Sequence, residues 1–256
     1  MYTMGIDVGS ITTKAALMRD KKLLAARVIF TGYSAEGAGY RVMQEILTEQ
    51  NLPESAIAAT ISTGYGRKSV KAAQKAVTEI MCHAAGAYYL QPHVRTVIDI
   101  GGQDSKIILM DDSGKIKNFA MNDKCAAGTG RFLEVMARAL EVDLDMFGKL
   151  SVQAGAPAKI SSLCTVFAES EVISLIARGE TRENIIAGIH ESIATRVSAM
   201  VNRVGLQEPV MITGGVAKNI GVVKAMEEKM HCTVSVSPDA QVAGAIGAAF
   251  LAAEGR

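Results

Sequence analysis

The chain has no tryptophan, and aromatic residues make up only 5% of its 256 positions. That scarcity argues against a platform of rings on which nucleobases would stack. An excess of one charge is also missing: 27 Lys and Arg stand against 26 Asp and Glu, a formal net charge of +1. Such a balance excludes a basic nucleic-acid stripe and a polybasic membrane patch. Apolar runs stop short of the roughly 18 residues that a membrane span requires. The opening MYTMGIDVGS reaches an acid at Asp7 with no basic stretch before it, so a secretory leader is not expected. Four cysteines in a chain of this length do not make a disulfide framework. What is abundant is apolar bulk, 49% of the residues, enough for one large core or two smaller ones. The expectation is a globular, cytoplasmic protein with neither nucleic acid nor membrane as a partner.

An internal echo is the first specific signal. Ile6 to Asp20 reads IDVGSITTKAALMRD, and Ile98 to Asp112 reads IDIGGQDSKIILMDD, offset by 92 residues without a gap. Each copy has the pattern of a buried strand ending in Asp, a glycine turn with small polar residues, and a second strand. A period this long points to two similar domains rather than a solenoid. One such turn alone is a common hairpin; two copies, each with an acid at the strand end, point to anion binding. Glycines let backbone N–H groups approach an anion, and Ser10, Thr12 and Thr13 add hydroxyl donors. Asp7 and Asp99 suit a Mg²⁺ held largely through its waters. Two such loops facing each other would clamp a polyphosphate.

Between the copies, 40–50 and 69–90 read as helical, with a strand at 58–63 before a turn at Gly64 and Gly66. Further helices are expected around 130–140, 166–177 and 182–204. In the last, Ile185, Ile189, Ile193, Val197 and Val201 recur every four residues and Gly205 stands where a helix would stop. A strand at 209–213 runs into Gly214 and Gly215, and the small apolar stretch 240–253 reads as a helix packed closely on a sheet. Alternating strands and helices indicate an α/β fold. No Pro- or Ser-rich linker separates the halves, so they should enclose a cleft.

The segments GIDVGSITTK (5–14), VIDIGGQDSK (97–106) and ITGGVAKN (212–219) resemble the two phosphate motifs and the adenosine motif of the acetate-kinase, sugar-kinase, heat-shock chaperone and actin superfamily. The resemblance implies two ribonuclease-H-like (actin-like ATPase) domains with a nucleotide cleft between them. These would be 1–95 with 241–256, and 96–240. A narrower likeness spans nearly the whole chain. STGYGR (62–67), NDKCAAGTGRFLE (122–134) and CTVFAESEVISLIARG (164–179) are similar to the activators of 2-hydroxyacyl-CoA dehydratases, a family that includes the ATPase subunits of benzoyl-CoA reductase.

That family implies an ATPase that couples ATP binding and hydrolysis to one-electron transfer. It further implies a homodimer with one [4Fe–4S] cluster between subunits, a partner dehydratase or reductase, and an electron donor such as ferredoxin or flavodoxin. By motif, Asp7 and Asp99 would organise Mg²⁺ and the attacking water, and Gln103 would orient that water. Gly9, Ser10, Ile11, Thr12, Thr13 and Lys14, with Gly101, Gly102, Gln103 and Asp104, would hold the phosphates of ATP or ADP. Gly214 and Gly215 would let adenosine lie on the backbone, and Gln241 would reach the adenine.

The cysteines read differently in pairs. Cys125 and Cys164 each precede a helical pattern, but taken alone they fit ordinary buried cysteines as well as ligands. Their flanks carry the family likeness; those of Cys82 and Cys232 do not, and these two are read as core or incidental. A cubane cluster needs four thiolates, which two chains meeting on a twofold axis would supply. The four histidines lack metal-ligand spacing, and His190 is read as a packing or surface residue. The competing functional readings are a small-molecule kinase without a cluster and an actin- or chaperone-like ATP switch.

Overall fold

The computed structural model describes residues 1–122, 124–161 and 164–255. Two five-stranded sheets organise it. The first comprises β1 (Tyr2–Val8), β2 (Thr12–Arg19), β3 (Lys22–Phe30), β4 (Ile57–Thr63) and β5 (Lys75–Ala76), in the order β3-β2-β1-β4-β5. The second comprises β6 (Thr96–Ile100), β7 (Ser105–Met110), β8 (Ile116–Asn122), β9 (Val210–Thr213) and β10 (Val234–Val236), in the order β8-β7-β6-β9-β10. In each, two antiparallel hairpins are followed by strands that join in parallel after a helical crossover. The echo at 92 residues is therefore an echo of topology, and the α/β expectation holds.

The helices are α1 (Ala35–Glu49), α2 (Glu79–Leu90), α3 (Gly130–Ala139), α4 (Leu144–Ser151), α5 (Thr165–Ala177), α6 (Arg182–Val204), α7 (Ile220–Met230) and α8 (Ala243–Ala253). Their ends follow local chemistry. Ser34 caps α1 by accepting the Gly37 N–H, and Thr181 caps α6 by accepting the Asn184 N–H. Gly205, at φ +101°, ends α6 where a side chain would be strained. The five aliphatic residues spaced by four along α6 are all buried, in the largest core cluster, which lies against the second sheet.

One expected helix is shortened. Residues 69–78 are not helical: the Gln74 and Val77 N–H groups donate to the carbonyls of Thr60 and Ser62, extending the first sheet. The Thr60 N–H donates in turn to the Gln74 side chain. Strand pairing thus overrides helical composition until Thr78 caps α2. Helices α4 and α7 and strands β3, β5 and β8 were not anticipated from the pattern. Strands β3 and β8 lie half-exposed at sheet edges, without a continuous apolar face.

Two helices tie the sheets together. The chain reaches α8 from the second sheet, yet α8 packs on β1, β2 and β4 of the first. Conversely α2 leaves the first sheet and packs Ala84 and Ala87 beside Val97, Ile108 and Met211 of the second. The two helices cross in direct backbone contact. A Cβ added at Gly86 would sit 1.9 Å from the Ala243 carbonyl, and one at Gly247 would sit 1.8 Å from the Cys82 carbonyl. The contact is reciprocal, and a methyl group on either side would separate the helices.

Gly247→Ala should therefore destabilise the protein by about 3 kcal/mol, the upper range for an overpacked core, against a gain of about 1 kcal/mol in helix propensity. Urea denaturation checks this; unchanged stability would mean that the crossing can open at no cost.

Candidate active site

The two hairpins place equivalent chemistry at the ends of β1 and β6. Asp7 is paired in register with Lys14 and lies 3.3 Å from its ammonium; Asp99 is paired with Lys106 at 3.2 Å. The loops close alike, the Gly9 N–H donating to the Thr12 carbonyl (3.1 Å) and the Gly101 N–H to that of Asp104 (2.9 Å). Each carboxylate also faces a left-handed glycine that follows the neighbouring parallel strand. A Cβ at Gly64 (φ +92°) would lie 2.6 Å from Asp7 Oδ1, and one at Gly214 (φ +87°) would lie 2.8 Å from Asp99 Oδ1. Only a residue without a side chain lets the backbone turn past an acid this closely.

The loops meet across the cleft. A Cβ at Gly102 would lie 2.7 Å from the Ile11 side chain and 3.3 Å from Ser10 Oγ. Ser10 and Gln103 are exposed, while Ile11, Thr12, Gly101, Gly102 and Asp104 are half-buried. Thr13 faces inward: its hydroxyl donates to Thr31, whose own hydroxyl donates to the Gly9 carbonyl, bracing the first loop from behind. After β9, the Gly214 N–H donates to the Ala240 carbonyl, and a Cβ built at Gly215 would lie 4.0 Å from the Gln241 amide nitrogen. Gln241 belongs to a 3-10 turn, 240–242, just ahead of α8. Cys125 is half-buried ahead of α3, and Cys164 is exposed at the start of α5.

The second carboxylate sits in a buried charge network. Lys106, 1% exposed, reaches Glu79 (2.7 Å), Asp104 (2.8 Å) and Asp99. Burial alone would push the Lys106 ammonium down, but Asp99, Glu79 and Asp104 together hold it above its usual range. Burial would likewise push Asp99 up; the facing His83 and Lys106, with the Thr213 hydroxyl, keep it low. Glu79 is raised, by burial first and by the nearby Asp104. Four of the six members, Asp99, Asp104, Lys106 and Thr213, stood in or near the motifs, but Glu79 and His83 were missed. Their signal was legible: two polar residues four apart on one face of an otherwise Ala- and Gly-rich helix.

His190 resolves as a packing residue. It is buried edge-on to Phe147, and Asn219 donates to its Nε2 while capping α7 through Oδ1. Nδ1 then carries the proton and has no partner among the described residues.

A comparison with family profiles matches residues 4–252 to the BadF/BadG/BcrA/BcrD ATPase family. The chain belongs to that family. Within it, the chain is 51% identical over 255 residues to the activator of lactoyl-CoA dehydratase of Anaerotignum propionicum, covering 99% of this chain and 98% of the relative. The crystal structure of the Acidaminococcus fermentans (R)-2-hydroxyglutaryl-CoA dehydratase component A superposes with a TM-score of 0.96 at 46% identity, covering 100% of this chain and 98% of that one. The activator of the 2-hydroxyisocaproyl-CoA dehydratase from Clostridium difficile, solved with bound ADPNP, superposes at 0.95 and 43% identity, covering 100% and 95%. As a BadF/BadG-type ATPase, the chain has its family's activity and the actin-like fold. Among its described residues no helix is long and apolar enough to cross a membrane.

Burial lowers His190 from 6.5 to about 3. Because the folded state favours the neutral ring, this contribution is complete above pH 6.5 and is lost as pH falls towards 3. His190→Phe should flatten that acid limb in denaturation curves taken across the window; an unchanged slope would show that other groups carry it.

Proposed function

We propose that this ATPase is an electron-transfer activator: a homodimer that holds one [4Fe–4S] cluster between its subunits and passes single electrons to a 2-hydroxyacyl-CoA dehydratase or related reductase. Residues 1–95 with 241–256 form one lobe and 96–240 the other, with ATP between them. The observation that carries the reading is a direct link from the phosphate loop to the cysteine segment. The Gly130 N–H donates to the Gly101 carbonyl (2.9 Å) and the Arg131 N–H to the Gly102 carbonyl (2.8 Å). These are first-turn donors of α3, the helix that begins just after the Cys125 loop. A shift of the second phosphate loop therefore moves the start of α3, and with it Cys125.

The cysteine chemistry fits a shared cluster. Among the described residues no group of three or more His, Cys, Asp and Glu stands ready for a metal ion. Two thiolates per chain then call for a second chain. Helices α3 and α5 pack on each other, and each is preceded by one of the two cysteines. The turn after Cys164 exposes Val166 (67%) and Phe167 (68%), with Ile173 and Ile176 further along α5, an apolar face suited to a second copy. Helix N-termini there would stabilise an anionic centre. When bound, the cluster supplies a one-electron donor, refilled by a small redox protein such as ferredoxin or flavodoxin. The activator names of its relatives support a dehydratase or reductase as acceptor.

At the nucleotide, positioning and electrostatics do most of the work of phosphoryl transfer. Asp7 and Asp99 offer acceptor-only oxygens suited to a Mg²⁺ held through water, which when bound offsets charge on the phosphates. The same carboxylates orient the attacking water, together with Gln103. Gly9 to Thr12 with Lys14, and Gly101 to Asp104, hold the phosphates, with Thr13 bracing the first loop from behind, and Gly214, Gly215 and Gln241 cradle the adenosine.

Two measurements test this reading. Asp99→Asn should lower ATP turnover by about a hundredfold or more; wild-type turnover would remove the carboxylate from the site. Anaerobically purified protein should hold about two irons per chain, one [4Fe–4S] per dimer, lost in both Cys125→Ala and Cys164→Ala. Iron-free protein after attempted reconstitution would overturn the electron-transfer role.

A further inference from the structure

The two halves of the site are not equivalent at one point. Helices α2 and α8 cross reciprocally, Gly86 against Ala243 and Gly247 against Cys82. By that correspondence, residue 83 on α2 matches residue 244 on α8. Position 244 is glycine, and position 83 is histidine. The imidazole fills the space that the glycine leaves. A Cβ at Gly244 would lie 2.8 Å from His83 Nε2 and 3.1 Å from Asp7 Oδ2. One edge of the ring thus reaches the Asp7 side of the cleft. The other edge reaches the Asp99 side, with Nδ1 3.1 Å from Asp99 Oδ1 and 3.2 Å from Thr213 Oγ1.

The direction of these hydrogen bonds follows from donor counting. The Thr213 hydroxyl donates to Asp99 Oδ1 at 3.0 Å, leaving its oxygen as an acceptor. A carboxylate oxygen only accepts. Nδ1 faces two acceptors and must carry the proton, donating to both. The ring is 5% exposed, buried within the contact between the sheets. Asp99 Oδ2 is held by Lys106 from β7, so His83 and Thr213 between them determine how Oδ1 is turned.

We infer that His83 is a positioning residue for ATP hydrolysis: its Nδ1–H holds the Asp99 carboxylate in its working orientation from the helix that crosses α8 and packs on the second sheet. Asp7 has no counterpart to this bond, since the matching position is Gly244. The arrangement links the orientation of Asp99 to the seating of α2 between α8 and the second sheet. This inference rests on the assignment of Asp99 to the ATP site.

The test exploits the shapes of the two carboxamides, because Asn sets its N–H₂ near the position of imidazole Nδ1 and Gln near that of Nε2. His83→Asn, His83→Gln and His83→Leu are compared with the wild type for kcat, for KM, for the Mg²⁺ concentration giving half-maximal rate, and for ADPNP affinity, which needs no turnover. A partner that orients a metal-organising carboxylate is worth about 10- to 100-fold. The expected result is a kcat lowered by that factor in His83→Gln and His83→Leu, with a raised Mg²⁺ requirement. ADPNP affinity without Mg²⁺ should change less than about threefold in all variants, and His83→Asn should recover most of the rate. Equal loss in Asn and Gln, recovery in Gln alone, or a wild-type rate and Mg²⁺ dependence in Gln would each overturn the inference. If His83→Leu fails to fold, the Asn and Gln pair still decides. Asp99→Asn, run alongside, separates the causes: full activity there removes the site assignment itself, whereas an inactive Asp99→Asn beside an indifferent His83 removes only the role given to His83.

Discussion

Two helices cross with their backbones in contact at Gly86 and Gly247, and the rest of the molecule is arranged around that approach. Each helix leaves one sheet and packs on the other, so the crossing is where the halves are joined. With no side chains between them, α2 and α8 bring the ends of β1 and β6 close enough for their loops to touch at Ile11 and Gly102. A bulkier interface would move the ends of β1 and β6 apart, and Asp7 and Asp99 with them. The same closeness makes room for a single imidazole, which occupies the space that Gly244 leaves.

The electrostatics of the site are lopsided in a way the topology is not. Asp7 is matched by one lysine at the edge of the cleft. Asp99 lies in a buried set with Lys106, Glu79, Asp104, His83 and Thr213. In so little solvent each member depends on the others, because removing one charge would leave the rest unpaired at a cost of several kcal/mol. Such a network rigidifies the second phosphate loop. That loop, through its Gly101 and Gly102 carbonyls, holds the first turn of α3. In the proposed coupling, a stiff loop moves as a unit and carries the start of α3 with it.

Much of the site was legible in the chain because its residues are local. A strand-end Asp, a glycine turn and a lysine seven residues on are adjacent in sequence, and hairpin pairing alone brings Asp7 to Lys14 and Asp99 to Lys106. Gly214 and Gln241 were legible from motif and helix position, though the turn that joins them needed the Gly214 to Ala240 hydrogen bond. Residues 70–78 read as helix, yet within them Lys75–Ala76 pair with β4, since composition carries no information about an open strand edge nearby. Thr13 looked like a phosphate donor by type, while its hydroxyl is turned towards Thr31, a contact fixed by β2 pairing with β3.

By itself the sequence determined the α/β class, the duplicated strand-turn-strand unit and the glycine and aspartate positions at the strand ends, because each is a pattern of neighbours along the chain. Tertiary structure decided what crosses between the halves: the exchange of α2 and α8, the insertion of Glu79 and His83 beside Asp99, and the hydrogen bonds from α3 to the phosphate loop. Those contacts join residues tens to hundreds of positions apart. Their partners are chosen by which backbones can approach closely enough, and that is a property of packed helices and sheets rather than of any local run of residues.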